Sequence, residues 1–134
     1  MDAKDLMIGD WVRLRYTDYL TGAVAVKEFQ VGQLRYLSWD GRGETMYVGS
    51  DHQNMSTIDK MEPIPLTPEI LEKNGFTNGE FYAESHIEDW QIMSDSSHLA
   101  ARSECGWCID IPCQYVHQLQ HALRLCGIEK EIKL

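Results

Sequence analysis

Residues 63–76 read PIPLTPEILEKNGF, and this one stretch states the start, body and stop of a short helix. Thr67 can cap the N-terminus with its hydroxyl, and Pro68 occupies the first helical position, where a missing N–H costs nothing. Glu69 complements the positive end of the helix dipole, and Ile70 and Leu71 supply an apolar face. Asn74-Gly75 provides a left-handed exit, after which Phe76 stands where such a stop places an apolar contact. The spacing predicts a helix over Thr67–Asn74 that divides the chain into two halves.

The half before it reads as β-structure. Ile8-Gly9-Asp10 is a turn into Trp11–Tyr16, where Val12, Leu14 and Tyr16 alternate with Arg13 and Arg15 in the period of a half-buried strand. Thr21-Gly22 marks a second turn. Val24–Leu37 predicts one long bent strand or two short ones, with Gly32 as a bulge. Asp40-Gly41 is a hairpin signal because it tolerates positive φ, and Thr45–Val48 is the returning strand. Thr57–Met61 adds a last short strand. Close-spaced short strands joined by Gly-rich turns predict a small antiparallel barrel or curled sheet, and the opening IGDWV resembles the first strand of SH3-like barrels.

The half after it is mixed. Phe81–Ala83 and Ile87–Met93 are strands, Asp95-Ser96-Ser97 a turn, and Leu99–Ile111 a longer strand ended by Pro112. Cys113–Cys126 is a helix. Its apolar face holds Tyr115, Val116, Leu119, Ala122, Leu123 and Cys126, and its polar face His117, Gln120, His121 and Arg124. Ile128–Leu134 reads as a charged edge strand. The expectation is therefore an α+β fold: an SH3-like lobe over 1–66 and an α+β lobe over 67–134 packed against it, or one compact domain.

Composition narrows the function. The 134 residues carry a formal charge of −9, with seven Lys/Arg against ten Asp/Glu in residues 1–66 and five against eleven in 67–134. Such a balance with no basic stripe repels phosphate backbones, so no nucleic-acid partner is expected. The carboxylates are too sparse for a DNA mimic. No apolar run approaches the roughly 18 residues of a membrane span. The opening MDAKDLMIGDW lacks a basic leader and an apolar stretch, so cytoplasmic residence is expected.

Chemistry could reside in the cysteines. Cys105, Cys108, Cys113 and His117 form C-x2-C-x4-C-x3-H, a donor set that tetrahedral zinc accepts. Binding would require Gly106 to open a tight turn. Trp107, Ile109 and Ile111 instead share one parity, which predicts a pleated strand with Cys105 and Cys108 splayed to opposite faces. The same geometry opposes a redox pair, which needs its first thiol at a helix N-terminus. Cys113 with His117 one turn later resembles an activated nucleophile without an orienting acid. His117 and His121 are one turn apart and read as solvated, and Glu84, His86, Glu88 and Asp89 read as an exposed strand edge. Trp11, Tyr16, Tyr19, Tyr36, Trp39 and Tyr47 lie in the first half, mostly as core fillers. Tyr19 and Trp39 fall in predicted loops, where burial is harder, and are the candidate partner-binding pair there; His117 and His121 are the candidates in the second half.

Together, PIPLTPEILEKNGF and Tyr115–Gln120 (YVHQLQ), followed by a Leu-rich helix and the C-terminal run, resemble a family of small uncharacterised proteins of Bacteroides and related gut bacteria, often in prophage or mobile-element neighbourhoods. The resemblance implies an accessory protein and no particular activity, and Cys105 and Cys108 lie outside its pattern. The expected function is a non-enzymatic protein-interaction factor with an unidentified protein partner and no cofactor. The alternative is a zinc-stabilised module, or a thiol- or metal-dependent enzyme, using Cys105, Cys108, Cys113 and His117.

Overall fold

Alternation in Trp11–Tyr16 yields a strand because it lets Val12 enter an apolar interior while Arg13 and Arg15 stay wet. In the structure, a computed structural model that describes residues 5–38, 44–51, 53–84, 89–106 and 108–134, this strand is β1, Trp11–Thr17. It pairs antiparallel with β2, Val24–Gln30, in the register Val12↔Phe29 and Tyr16↔Ala25. The chain then passes through Val31-Gly32 into β3, Gln33–Ser38, which belongs to a different sheet. Of the two readings of Val24–Leu37 the two short strands are the ones formed, and Gly32 is a junction rather than a bulge. Val31 is pinned to the first sheet, its N–H donating to Asp10 O (2.8 Å) and its carbonyl accepting from Gly9 N–H (2.7 Å). Gly32 is pinned to the second, its N–H donating to Gly49 O (2.9 Å).

β3 pairs with β4, Glu44–Gly49, through to Ser38↔Glu44, and the Asp40-Gly41 turn signal between them lies outside the described residues. Met55–Thr57 is β5, followed by a single 3₁₀ turn at Ile58–Lys60 and then β6, Met61–Pro63. The predicted strand Thr57–Met61 is thereby corrected: β5 completes the sheet β3-β4-β5, and β6 joins β2-β1-β6. A strand cannot serve two sheets without a bend, and the 3₁₀ turn supplies it. Both sheets feed one core of Leu6, Val12, Phe29, Val31, Val48 and Met61. This first compact unit comprises residues 1–64.

The second unit, residues 65–134, starts with the helix read from sequence. Helix α1 is Pro68–Lys73; the Thr67 hydroxyl accepts from Ile70 N–H at 3.2 Å. Its stop is a Schellman motif: Phe76 N–H donates to Leu71 O, Gly75 N–H donates to Glu72 O, and Gly75 has φ 93°. Phe76 is buried and stacks on Phe81 with ring centroids 5.2 Å apart.

Four strands follow: β7 (Glu80–Ala83), β8 (Trp90–Ser94), β9 (His98–Ser103) and β10 (Cys108–Pro112), as one antiparallel meander. The single strand expected over Leu99–Ile111 is corrected to the β9–β10 hairpin. Its turn closes with Gly106 N–H donating to Ser103 O (3.1 Å) and Gly106 at φ 92°. The strand expected over Ile87–Met93 begins at Trp90, with residues 85–88 outside the described set. One face of the meander buries Trp90, Ile92, Leu99 and Ala101; helix α2, Val116–Leu125, buries Val116, Leu119, Ala122 and Leu123. At the start of α2, Gln118 Oε1 accepts from the N–H groups of Gln114 (2.8 Å) and Tyr115 (3.2 Å).

The C-terminal run is not the edge strand its alternation predicts, since residues 128–134 join no ladder. A side chain takes the place of a neighbouring strand. Asn74 Nδ2 donates to Lys133 O (2.7 Å) and Asn74 Oδ1 accepts from Lys133 N–H (2.8 Å). Buried Ile128 and Ile132 add apolar anchorage. The fold class is α+β, and no helix among the described residues is long and apolar enough to cross a membrane.

Candidate functional site

The inward face of the β2-β1-β6 sheet is filled at one end and open at the other. Val12 and Phe29 are buried opposite each other. Further along the same face come Leu14 opposite Lys27, then Tyr16 opposite Ala25. Here core side chains run out and a cleft of about 660 Å³ opens, lined among others by Tyr16, Tyr19, Lys27, Met55 and Lys60. Tyr16 was expected in the core by alternation but is 43% exposed. The pattern sets its face, whereas the length of the covering layer decides whether that face is dry.

At the rim is the β1–β2 connection. Asp18 Oδ1 accepts from Leu20 N–H (2.8 Å), Gly22 N–H donates to Asp18 O (2.8 Å), and Asp18 N–H donates to Ala23 O (2.9 Å). This internally bonded turn leaves Tyr19 and Leu20 at 101% and 96% exposure. Val24 and Val26 are exposed on β2, which is an end strand of its sheet. Arg15 is bound by Glu62 through two hydrogen bonds (2.8 and 3.2 Å). Hydrogen bonding to the Arg15 guanidinium holds the Glu62 carboxyl below its ordinary range, and the same bond raises Arg15.

Of the pair singled out in the first half, Tyr19 is at this rim and Trp39 lies outside the described residues. Sequence reasoning did not pick out Lys27 and Lys60. Lys27 carried a signal: it shares parity with Phe29, and a cation on the inward face of a strand marks a face that reaches water.

In the second unit, His117 is corrected from the solvated face to a buried position, at 4% exposure, and Gln120 is buried with it. Helix α2 is covered over a wider arc than its apolar stripe, so polar residues flanking the stripe go inside. The His117 ring stacks on Tyr115 (centroids 5.9 Å) and meets His121 edge-on (5.6 Å), and His121 is half-buried.

The cysteines divide in two. Cys105 in the hairpin turn and Cys108 at the start of β10 are exposed and in no disulfide, and the flat pleated course expected for this segment is replaced by the turn that Gly106 opens. Trp107 and the His86/Glu88 part of the acidic cluster lie outside the described residues. Cys113 and Cys126 are buried free thiols. Among the described residues no group of three or more His, Cys, Asp or Glu side chains could hold a metal ion. Burial pushes the Cys113 thiol from 9.0 up to about 11, which opposes both thiolate ligation and nucleophilic attack near neutral pH.

That shift has a consequence for stability. Between pH 9.0 and about 11 the unfolded chain releases the Cys113 proton while the folded chain keeps it. The contribution is fully present below the lower value and is lost as pH rises through the upper one. Urea midpoints of the wild-type should therefore fall across this window more steeply than those of Cys113→Ala. Parallel slopes would show that the buried thiol does not control alkaline unfolding.

No protein-family model, curated protein or solved structure matches this chain.

Proposed function

We propose that the chain is a non-enzymatic interaction protein, a cytoplasmic accessory factor of the phage or mobile-element type. Its first unit acts as an SH3-like module that docks a partner protein at the Tyr19 rim. The carrying observation is the hydrogen-bonded β1–β2 turn that holds Tyr19 and Leu20 bare beside an open cleft. Tyr16 extends this apolar surface into the cleft, while Val24 and Val26 lie on the opposite face of the hairpin. Single exposed apolar side chains carry no information, but Tyr16, Tyr19 and Leu20 grouped at one end of the hairpin form a surface that a partner can cover. Tyrosine suits the task because it offers large contact area at low entropic cost.

Support for the SH3-like part comes from connectivity. The orders β2-β1-β6 and β3-β4-β5 are those of two small antiparallel sheets linked by the Val31-Gly32 junction and by the 3₁₀ turn before the last strand.

The test is photocrosslinking in cells that express the chain, with p-benzoylphenylalanine in place of Tyr19. A discrete protein adduct is expected, and adding Leu20→Ser with Tyr16→Ser should lower its yield by more than about tenfold, because each large apolar side chain that a partner buries contributes about 1.5–3 kcal/mol. An adduct insensitive to both substitutions, or none, would remove this surface as the docking site.

A further inference from the structure

We propose, building on the interaction role above, that the occupant of the first unit's cleft is an acidic, extended segment of the partner protein, with Lys27 and Lys60 receiving its carboxylates. The chain as a whole carries −9, yet the cleft inverts that sign. Among the described residues its lining contains Arg15, Lys27 and Lys60 and no Asp or Glu. Lys27 projects from the inward face of β2, opposite Leu14, and Lys60 ends the 3₁₀ turn between β5 and β6. Neither ammonium makes an ion pair with a described residue, and both side chains are exposed.

Most of the carboxylates nearest in the chain are already engaged, among them Glu28, which pairs with Arg13 at 3.6 Å. Glu62 is held by Arg15. Asp51 accepts from the N–H groups of Gln53 (2.8 Å) and Asn54 (3.0 Å) and from Asn54 Nδ2. Asp18 Oδ1 is taken by Leu20 N–H. Asp59, beside Lys60, is exposed and does not line the cleft. Two uncommitted cations thus stand next to apolar surface from Tyr16, Tyr19 and Met55, which matches a segment alternating carboxylate and apolar side chains.

Ligand length selects a peptide over a nucleic acid. A polyanion longer than the patch runs onto the acidic remainder of the surface, within a Debye length of about 8–10 Å, and is repelled there. A short acidic segment places its charge where the lysines are. Complementarity of this kind sets encounter rate and specificity, while the tyrosines and the aliphatic rim supply the apolar contact.

The test uses the whole chain and fluorescence anisotropy with labelled (Glu-Leu)4, (Gln-Leu)4, (Lys-Leu)4 and the oligonucleotide dT12. The acidic peptide should bind at least about tenfold more tightly than the glutamine peptide. Lys27→Glu with Lys60→Glu should remove about tenfold or more of that affinity, and the milder Lys27→Gln with Lys60→Gln an intermediate amount. Unchanged circular dichroism of both double variants establishes that they fold. Equal binding of the glutamine peptide, no binding of (Glu-Leu)4, competition by dT12, or indifference to the lysine changes would each overturn the acidic occupant. None of these outcomes bears on the Tyr19 crosslink, so failure of the ligand assignment and failure of the docking surface are separable.

Discussion

Gly32→Ala is expected to unfold the first unit, or to cost it about 3 kcal/mol or more. A Cβ at this position would lie 2.0 Å from Ser50 O and 2.9 Å from Ser50 C. Both are backbone atoms, so no side chain can rotate aside. Nor can the junction shift as a whole, because Val31 is bonded to Gly9 and Asp10 while Gly32 is bonded to Gly49. Moving the chain far enough to admit a methyl group would break the attachment to one sheet or the other. Gly22→Ala is the control. Gly22 has φ 70° but nothing within 4 Å of an added Cβ, so only left-handed strain applies, about 1–2 kcal/mol. Urea unfolding of the two variants should separate them clearly. Similar midpoints would mean the two sheets are not held as closely at Gly32 as described.

Asn74→Ala is expected to destabilise the second unit by about 2–4 kcal/mol and to free the C-terminal run. Asn74 is a buried polar residue at 4% exposure. Its Nδ2 donates to Ile70 O and Lys133 O, each at 2.7 Å, and its Oδ1 accepts from Lys133 N–H at 2.8 Å. Truncation strips three hydrogen bonds and leaves backbone groups without their partner. Asn74→Asp is the sharper variant: its shape is kept, but two carbonyl oxygens then face a carboxylate. It should be at least as damaging as alanine. Lys73→Ala, which removes only an exposed contact from Nζ to Leu134 O (2.6 Å), should stay within about 0.5 kcal/mol of wild-type. Hydrogen exchange at the Lys133 amide gives the direct readout. It should accelerate in both Asn74 variants and stay near wild-type in Lys73→Ala. Retained protection in Asn74→Ala would mean that Ile128 and Ile132 anchor the run unaided.

These two sites mark the boundary of what pattern can carry. The sequence announced Asn74 as the end of α1, which is a local property of Asn-Gly. It did not announce that the same side chain serves as the hydrogen-bonding partner of Lys133, because alternation in residues 128–134 looks the same whether a strand or an amide lies alongside. The β9–β10 hairpin failed for a related reason. Its partners, such as Leu99 with Ile111 and Arg102 with Cys108, share parity. Odd-numbered residues therefore stay on one face whether the chain runs straight or doubles back, so period-2 reasoning cannot tell the two apart. Only Gly106 distinguished them.

At the candidate site, Tyr19 was legible from its place in a turn, since a tip residue has little surrounding chain to cover it. The lysines were not, because they become a site only through where the core stops.

What the sequence determined by itself is what short-range sterics and hydrogen bonding decide: the capped and stopped α1, the strand periods, the turn at Thr21-Gly22 and the α+β class. Tertiary structure alone decided that Gly32 hands the chain from one sheet to the other, that His117 is buried, and that Lys27 and Lys60 line one cleft. The physical reason is that burial and close approach depend on which surfaces meet, and residues far apart in the chain make those surfaces together.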